Sequence, residues 1–203
     1  RQMCIRDRVA AGLKDALAQA QGKDYRVLFT AHSVPTAADV TSGGPDNANL
    51  YSRQVAEAAR LVAERAGAPD YEVVWQSRSG NPATPWLEPD VVDRAEALAD
   101  ANVQHLICVP IGFITDHMEV VWDLDTELQH ACDNRGVTLD RVATVGLTQE
   151  FASMVVDIAE AVARGEQPAS LSTLTVQGCT RNGAPCCEGC CEPQKRPARA
   201  LNG

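Results

Sequence analysis

Two rhythms of apolar and polar positions alternate along the chain. Short apolar runs at residues 25–30 (with Val27, Leu28 and Phe29 consecutive), 71–75, 105–109 and 141–145 read as buried strands. Between them lie longer stretches with helical spacing. Residues 50–66 place Val55, Ala58, Ala59 and Val62 on one inward face and end at Gly67, a C-cap residue. Further helices are predicted over 90–100, from about 116 to 134 with Gly136 as a stop, and over 149–164 with Gly165 as a cap. Residues 13–21 read as the end of a helix, and 36–48 as a loop rich in Gly, Pro and Asp. The resulting order, β-α-β-α-β-α-β-α, predicts an α/β fold: an open parallel sheet with helices on both faces and right-handed connections. Beyond Gln167 the rhythm stops, and an irregular cysteine-rich tail is expected.

The third strand leads into the chain's most unusual stretch. Pro110 and Gly112 break the strand, and the helix that follows carries six acids from Asp116 to Asp133 with no Lys or Arg. Glu119, Asp123 and Glu127 recur at i, i+4 and i+8, which stacks them on one face, roughly 6 Å apart per step. Like charges so placed cost a helix roughly 0.2–0.5 kcal/mol per pair. A capping box and the helix dipole account for Asp116 and Glu119 but not for Asp123 and Glu127. The face is either a place where cations are handled or a solvated acidic surface.

Bulk composition narrows the picture. The 203 residues suffice for one sizeable domain or a domain with a tail, and 45% hydrophobic with 22% charged content is ordinary for a globular protein. A net charge of −9 argues against a nucleic-acid partner. No apolar run is long enough to span a membrane and no signal peptide is visible, so the cytoplasm is the default expectation. Five of the eight cysteines fall in one run, Cys179, Cys186, Cys187, Cys190 and Cys191, with Gly183, Pro185 and Gly189 supplying turns. Such clustering favours a zinc or iron–sulfur centre over disulfides; the bland alternative is a reactive, mobile tail.

His32 follows the first strand directly, at the edge where open α/β sheets bind ligands. A lone histidine there is more often structural. Its company is what matters: Gln76-Ser77-Arg78 and the loop into Glu119 follow the next two strands. A His and a Glu meeting in that crevice could share a divalent cation or strip protons from a substrate. No dinucleotide fingerprint, Walker sequence or nucleophile elbow is present.

Three segments in order, Thr30-Ala31-His32-Ser33-Val34-Pro35, Gln76-Ser77-Arg78-Ser79-Gly80 with Pro85-Trp86-Leu87, and Pro110-Ile111-Gly112-Phe113-Ile114-Thr115-Asp116-His117-Met118-Glu119, resemble the ferrochelatase family. The resemblance covers about residues 11 to 165 and maps onto the family's C-terminal half. It implies one Rossmann-like half of a two-half chelatase fold, with the N-terminal half missing and the porphyrin bound between halves. Residues 10–166 are then the C-terminal chelatase half and 167–203 a linker and cluster-binding tail. Residues 1–9, whose Arg-Gln-Met-Cys-Ile-Arg-Asp-Arg resembles translated adapter sequence, are set apart as a non-native leader, and Cys4 is given no role.

Carried over by position, the resemblance implies that His32 lies beside the metal and the pyrrole nitrogens. Glu119 would be its acidic partner across the porphyrin, and Asp123 and Glu127 a secondary row that passes metal or protons. Trp86 and residues 77–80 would lie near the cleft. It implies Fe²⁺ as substrate and a [2Fe–2S] cofactor held by three of the five tail cysteines, with a fourth ligand from the missing half. The tail, with the Ala- and Asp-rich composition, resembles the actinobacterial branch, which implies coproporphyrin III as the porphyrin. The alternatives are a chelatase for another metal or tetrapyrrole, and a non-catalytic iron–sulfur or metal-binding module built on the tail thiols.

Overall fold

A computed structural model describes residues 4–44, 47–68, 70–146, 148–166, 171, 172 and 174. The five tail cysteines lie outside the described residues. The order is α1 (Cys4–Gln19), β1 (Tyr25–His32), α2 (Thr36–Thr41), α3 (Leu50–Ala66), β2 (Tyr71–Gln76), α4 (Val91–Asp100) and β3 (His105–Val109). Next come α5 (Met118–Trp122), a π-helical segment (Asp123–Leu128), α6 (Gln129–Arg135), β4 (Thr138–Arg141) and α7 (Gln149–Ala163). The four strands form one parallel sheet, β2-β1-β3-β4, as the α/β pattern predicts.

Both faces of the sheet are covered, which is why its strands read as continuous apolar runs. Alternate side chains enter opposite cores. Val27, Phe29, Ile107 and Val109 pack with α1, α3 and Phe151 of α7. Leu28, Leu106 and Cys108 pack with α4, α5, the π segment and α6. α1 starts within the stretch set apart as a leader: Val9 and Ala10 are buried, and Ile5 packs against the first cluster.

Two local expectations are corrected. The last strand is residues 138–141, not 141–145. Gly136 ends α6 in the left-handed region (φ 66°), Val137 is buried at once, and Thr138 N–H donates to Gln104 O at 2.9 Å, so pairing with β3 starts immediately. Val142 and Val145 are apolar because they are buried in the irregular segment that follows, against the α1 side. Residues 36–48 are not wholly a loop but include α2, whose Asp39 is buried. Asp39 takes the place of a missing cap: Asn49, before α3, makes no side-chain cap bond, while Asp39 accepts from Ser52 N–H at 3.0 Å, Ser52 Oγ at 2.7 Å and Asn49 Nδ2 at 2.9 Å. Asp39→Ala strands these donors and should cost about 1–3 kcal/mol, read as a lowered urea midpoint with an unchanged slope.

Candidate active site

Three strands deliver their ends to the same edge of the sheet. β1 ends at His32, β2 at Gln76, and β3 runs into the 110–117 loop that leads to α5. The loop crosses the end of β1 at very close range. Gly112 N–H donates to Thr30 O at 3.1 Å, and a Cβ on Gly112 would lie 2.6 Å from Ala31 Cβ and 2.8 Å from Ala31 Cα. Only glycine permits that crossing, and the crossing carries Glu119 to His32. His117, the N-cap of α5, accepts from Glu119 N–H.

His32 Nε2 lies 3.7 Å from Glu119 Oε2, with both side chains partly open to solvent. His32 Nδ1 is 2.5 Å from Ser33 O. A carbonyl oxygen only accepts, so Nδ1 carries the hydrogen, and Nε2 is the ring nitrogen whose lone pair or proton faces Glu119. A lone pair and a carboxylate facing each other beyond hydrogen-bond range is a geometry that a proton or cation between them relieves. Tyr51 OH donates to His32 O at 2.7 Å, and Ser33 N–H to Gln76 O at 2.8 Å, which ties the histidine to α3 and β2. Residues 85–87 pair beside it: Thr36 N–H donates to Pro85 O, Leu87 N–H to Val34 O, and Ser33 Oγ to Leu87 O. Trp86 thereby lies against the loop that follows His32, its indole Nε1 buried without a partner.

The helix expected from 116 to 134 contains a π segment in its middle. Val120, Leu124, Leu128 and Cys132 are all buried, four residues apart. In a regular α-helix a strict step of four drifts by about 40° each time. The wider π turn absorbs that drift and keeps the apolar series on the sheet. Glu119, Asp123 and Glu127 each precede one of these buried residues, so they follow the same path on the neighbouring face.

The six acids divide by partner, Asp133 accepting from Gln129 Nε2 of its own helix at 2.8 Å. Arg141, at the end of β4, reaches Asp116 at 3.1 Å and also pairs with Asp125, so those two acids brace the helix against the sheet. Asp123 accepts from Gln76 Nε2 at 3.2 Å and from Ser77 Oγ, where Ser77 takes a left-handed φ of 63°. Asp123 and Glu127 line an open cavity of about 330 Å³ together with Gln76, Arg78, Asp90 and Asp93. Burial pushes the Asp90 carboxyl up, against the pull of its bond from Val92 N–H. Glu119 stands apart from this cavity, beside His32. Gln76 stands at the polar strand end expected beside His32, whereas nothing in the sequence singles out Arg141, whose role depends on which strand end faces which acid. Ile114, Met118 and Trp122, on the loop and helix that carry Glu119, expose 50, 81 and 57% of their surface, an apolar floor next to the donor pair.

Among the described residues no group of three or more His, Cys, Asp or Glu side chains is arranged to hold a metal ion, and no helix is long and apolar enough to cross a membrane. The two cysteines in the core are poor ligands. Burial pushes the Cys108 thiol up to about 12 and the Cys132 thiol up to about 11. Both should resist iodoacetamide in the native protein at pH 8 and react once unfolded, as peptide mass spectrometry would read.

The ferrochelatase family model matches residues 6–163. The coproporphyrin III ferrochelatase of Corynebacterium glutamicum (strain R) is 50% identical over 179 residues, covering 88% of this chain and 48% of that protein. The Nocardia farcinica coproporphyrin III ferrochelatase is 48% identical over 176 residues, covering 86% and 50%. That of Mycobacterium tuberculosis (strain H37Ra) is 46% identical over 183 residues, covering 89% and 52%. The chain thus spans about half the length of the curated relatives it matches. With the motif-bearing strand ends gathered at one sheet edge, and the family match running from α1 to the end of α7, this chain belongs to the ferrochelatase family.

Proposed function

We propose that this chain is the C-terminal half of an enzyme of heme biosynthesis that inserts Fe²⁺ into coproporphyrin III, with His32 and Glu119 at the point of insertion. The observation that carries the reading is the 3.7 Å approach of His32 Nε2 to Glu119 Oε2, from different strand ends. Two donors each about 2 Å from one divalent ion lie roughly 3–4 Å apart. A pair of protein ligands holds iron weakly enough to release it to four pyrrole nitrogens. The His32 lone pair is free to take a pyrrole proton, Glu119 offsets the charge, and Ile114, Met118 and Trp122 offer a flat apolar surface to a macrocycle. Asp123 and Glu127 form the secondary acidic row along which hydrated iron or released protons move. The names of the relatives favour coproporphyrin III over another tetrapyrrole and iron over another metal. The reaction is placed in the cytoplasm.

The tail carries five thiols, whereas Cys108 and Cys132 are buried in the core. Three of Cys179, Cys186, Cys187, Cys190 and Cys191 would hold a [2Fe–2S] cluster, with a fourth ligand from the other half. The cluster's chemistry is electron storage, and no step of metal insertion is routed through it. Domain limits follow: a leader over 1–9, the chelatase half over 10–166 and the cluster-binding tail over 167–203.

The test joins this chain to the N-terminal stretch it lacks, taken from the Corynebacterium glutamicum relative, and compares the joined protein with the 203-residue chain in an iron-insertion assay on coproporphyrin III and protoporphyrin IX. The joined protein should insert iron and prefer coproporphyrin III, while the chain alone, with one wall of the pocket, should stay near the uncatalysed rate. Normal turnover by the chain alone contradicts the reading.

A further inference from the structure

His32 stands on an overhang of its strand. Pairing of β1 with β3 ends at Phe29 opposite Val109, so Thr30, Ala31 and His32 run on past that neighbour. Thr30 O takes Gly112 N–H of the loop after β3. His32 O, two residues further and on the same side of the strand, lies beyond the ladder. Tyr51 OH fills that place at 2.7 Å. The peptide unit joining His32 to Ser33 is therefore gripped at both ends: its N–H donates to Gln76 O at 2.8 Å, and its C=O accepts from Tyr51. The imidazole hangs from the same unit, with Nδ1 donating to Ser33 O. A turn of that unit swings the ring and takes Nε2 away from Glu119.

Tyr51 is itself held. Its N–H donates to Ser42 Oγ at 3.0 Å, and Ser42 Oγ donates to Asp39 O at 2.6 Å. Its ring lies against Trp75, centroids 5.9 Å apart, in the small cluster that includes Ala31 and Val55. Burial, and after it the Asp39 carboxylate, push the phenol up, so the hydroxyl keeps its proton and stays a donor. A phenyl ring would fill the cluster as well; the hydroxyl is what reaches the strand end.

We infer that Tyr51 is a positioning residue for metal insertion: through the His32 carbonyl, its hydroxyl sets the direction of the imidazole toward Glu119. The inference rests on the proposed function in taking His32 as a residue at the point of insertion.

The test is Tyr51→Phe, with Val55→Ala as its control. Val55 sits one turn along α3 in the same cluster and makes no bond to the strand end, so its truncation loosens the packing alone. Both variants should lower the thermal midpoint of the 203-residue chain by about 2–4 °C. The ring nitrogens of its four histidines are then followed by ¹⁵N NMR, with His32 assigned by its loss in His32→Ala. The Nδ1 signal of His32 should be that of a protonated nitrogen in the wild type and in Val55→Ala, and should move toward the free-histidine position in Tyr51→Phe. In the joined protein, Tyr51→Phe should lower kcat about tenfold with KM for iron and porphyrin within about twofold, while Val55→Ala keeps the wild-type rate per folded molecule. Unchanged His32 signals in Tyr51→Phe overturn the proposal, whatever the rate does. So does a shifted signal with full turnover, or a Val55→Ala variant that reproduces both effects. A shifted signal in a joined protein that inserts no iron even as wild type supports the tether on His32 and defeats the proposed function.

Discussion

Glu119→Gln in the joined two-half protein is expected to slow iron insertion at least about a hundredfold, equivalent to about 2.7 kcal/mol at the barrier, and His32→Ala by a similar factor. Glutamine keeps the size and the helix cap of Glu119 and removes only its charge. Its thermal midpoint should therefore match wild type, because the side chain is more than half exposed and an exposed pair of this kind contributes little to stability. The loss belongs to chemistry: no anion remains to hold the cation or to offset the proton taken by His32. Insertion rates at saturating iron and porphyrin separate this from weakened binding. A Glu119→Gln enzyme with normal turnover would show that the carboxylate is merely part of a solvated face.

A second large effect is expected far from any charge. Gly112→Ala puts a methyl group 2.6 Å from Ala31 Cβ and 2.8 Å from Ala31 Cα, where neither the strand end nor the loop has a flexible tip to move aside. Overpacking of this kind costs about 1–3 kcal/mol. The easier part to yield is the loop, so α5 and Glu119 are carried away from His32. The variant should combine a lowered urea midpoint with an insertion rate reduced beyond what its folded fraction explains. Full activity in the molecules that remain folded would mean that the crossing does not set the distance between the pair.

The contrast between what the sequence discloses and what it hides follows from the range of the forces involved. Burial on both faces leaves an unmistakable mark, so residues 105–109 and 50–66 read correctly to the residue as β3 and α3. The parallel order follows from the alternation alone. β4 was misplaced because Val142 and Val145 are buried in an irregular segment, and burial without regular hydrogen bonding looks like strand in a one-dimensional pattern. The π segment was legible in principle. Two interleaved series, Val120-Leu124-Leu128-Cys132 and Glu119-Asp123-Glu127, both step by strict fours, a period that an α-helix cannot sustain on one face. Arg141 was not legible. The acidic helix carries no Lys or Arg from Asp116 to Asp133, and its guanidinium partner arrives from the next strand, 16 residues beyond Asp125. That one contact separates the bracing acids, Asp116 and Asp125, from Glu119, Asp123 and Glu127.

The approach of His32 to Glu119 is the claim on which the rest depends, and a double-mutant cycle on iron insertion addresses it directly. Measured in the joined protein, His32→Ala, Glu119→Gln and the double variant should all fall to about the same rate, because two groups that share one ion or one proton are lost together. If the double variant instead loses the product of the two single factors, the imidazole and the carboxylate act independently and the shared site does not exist.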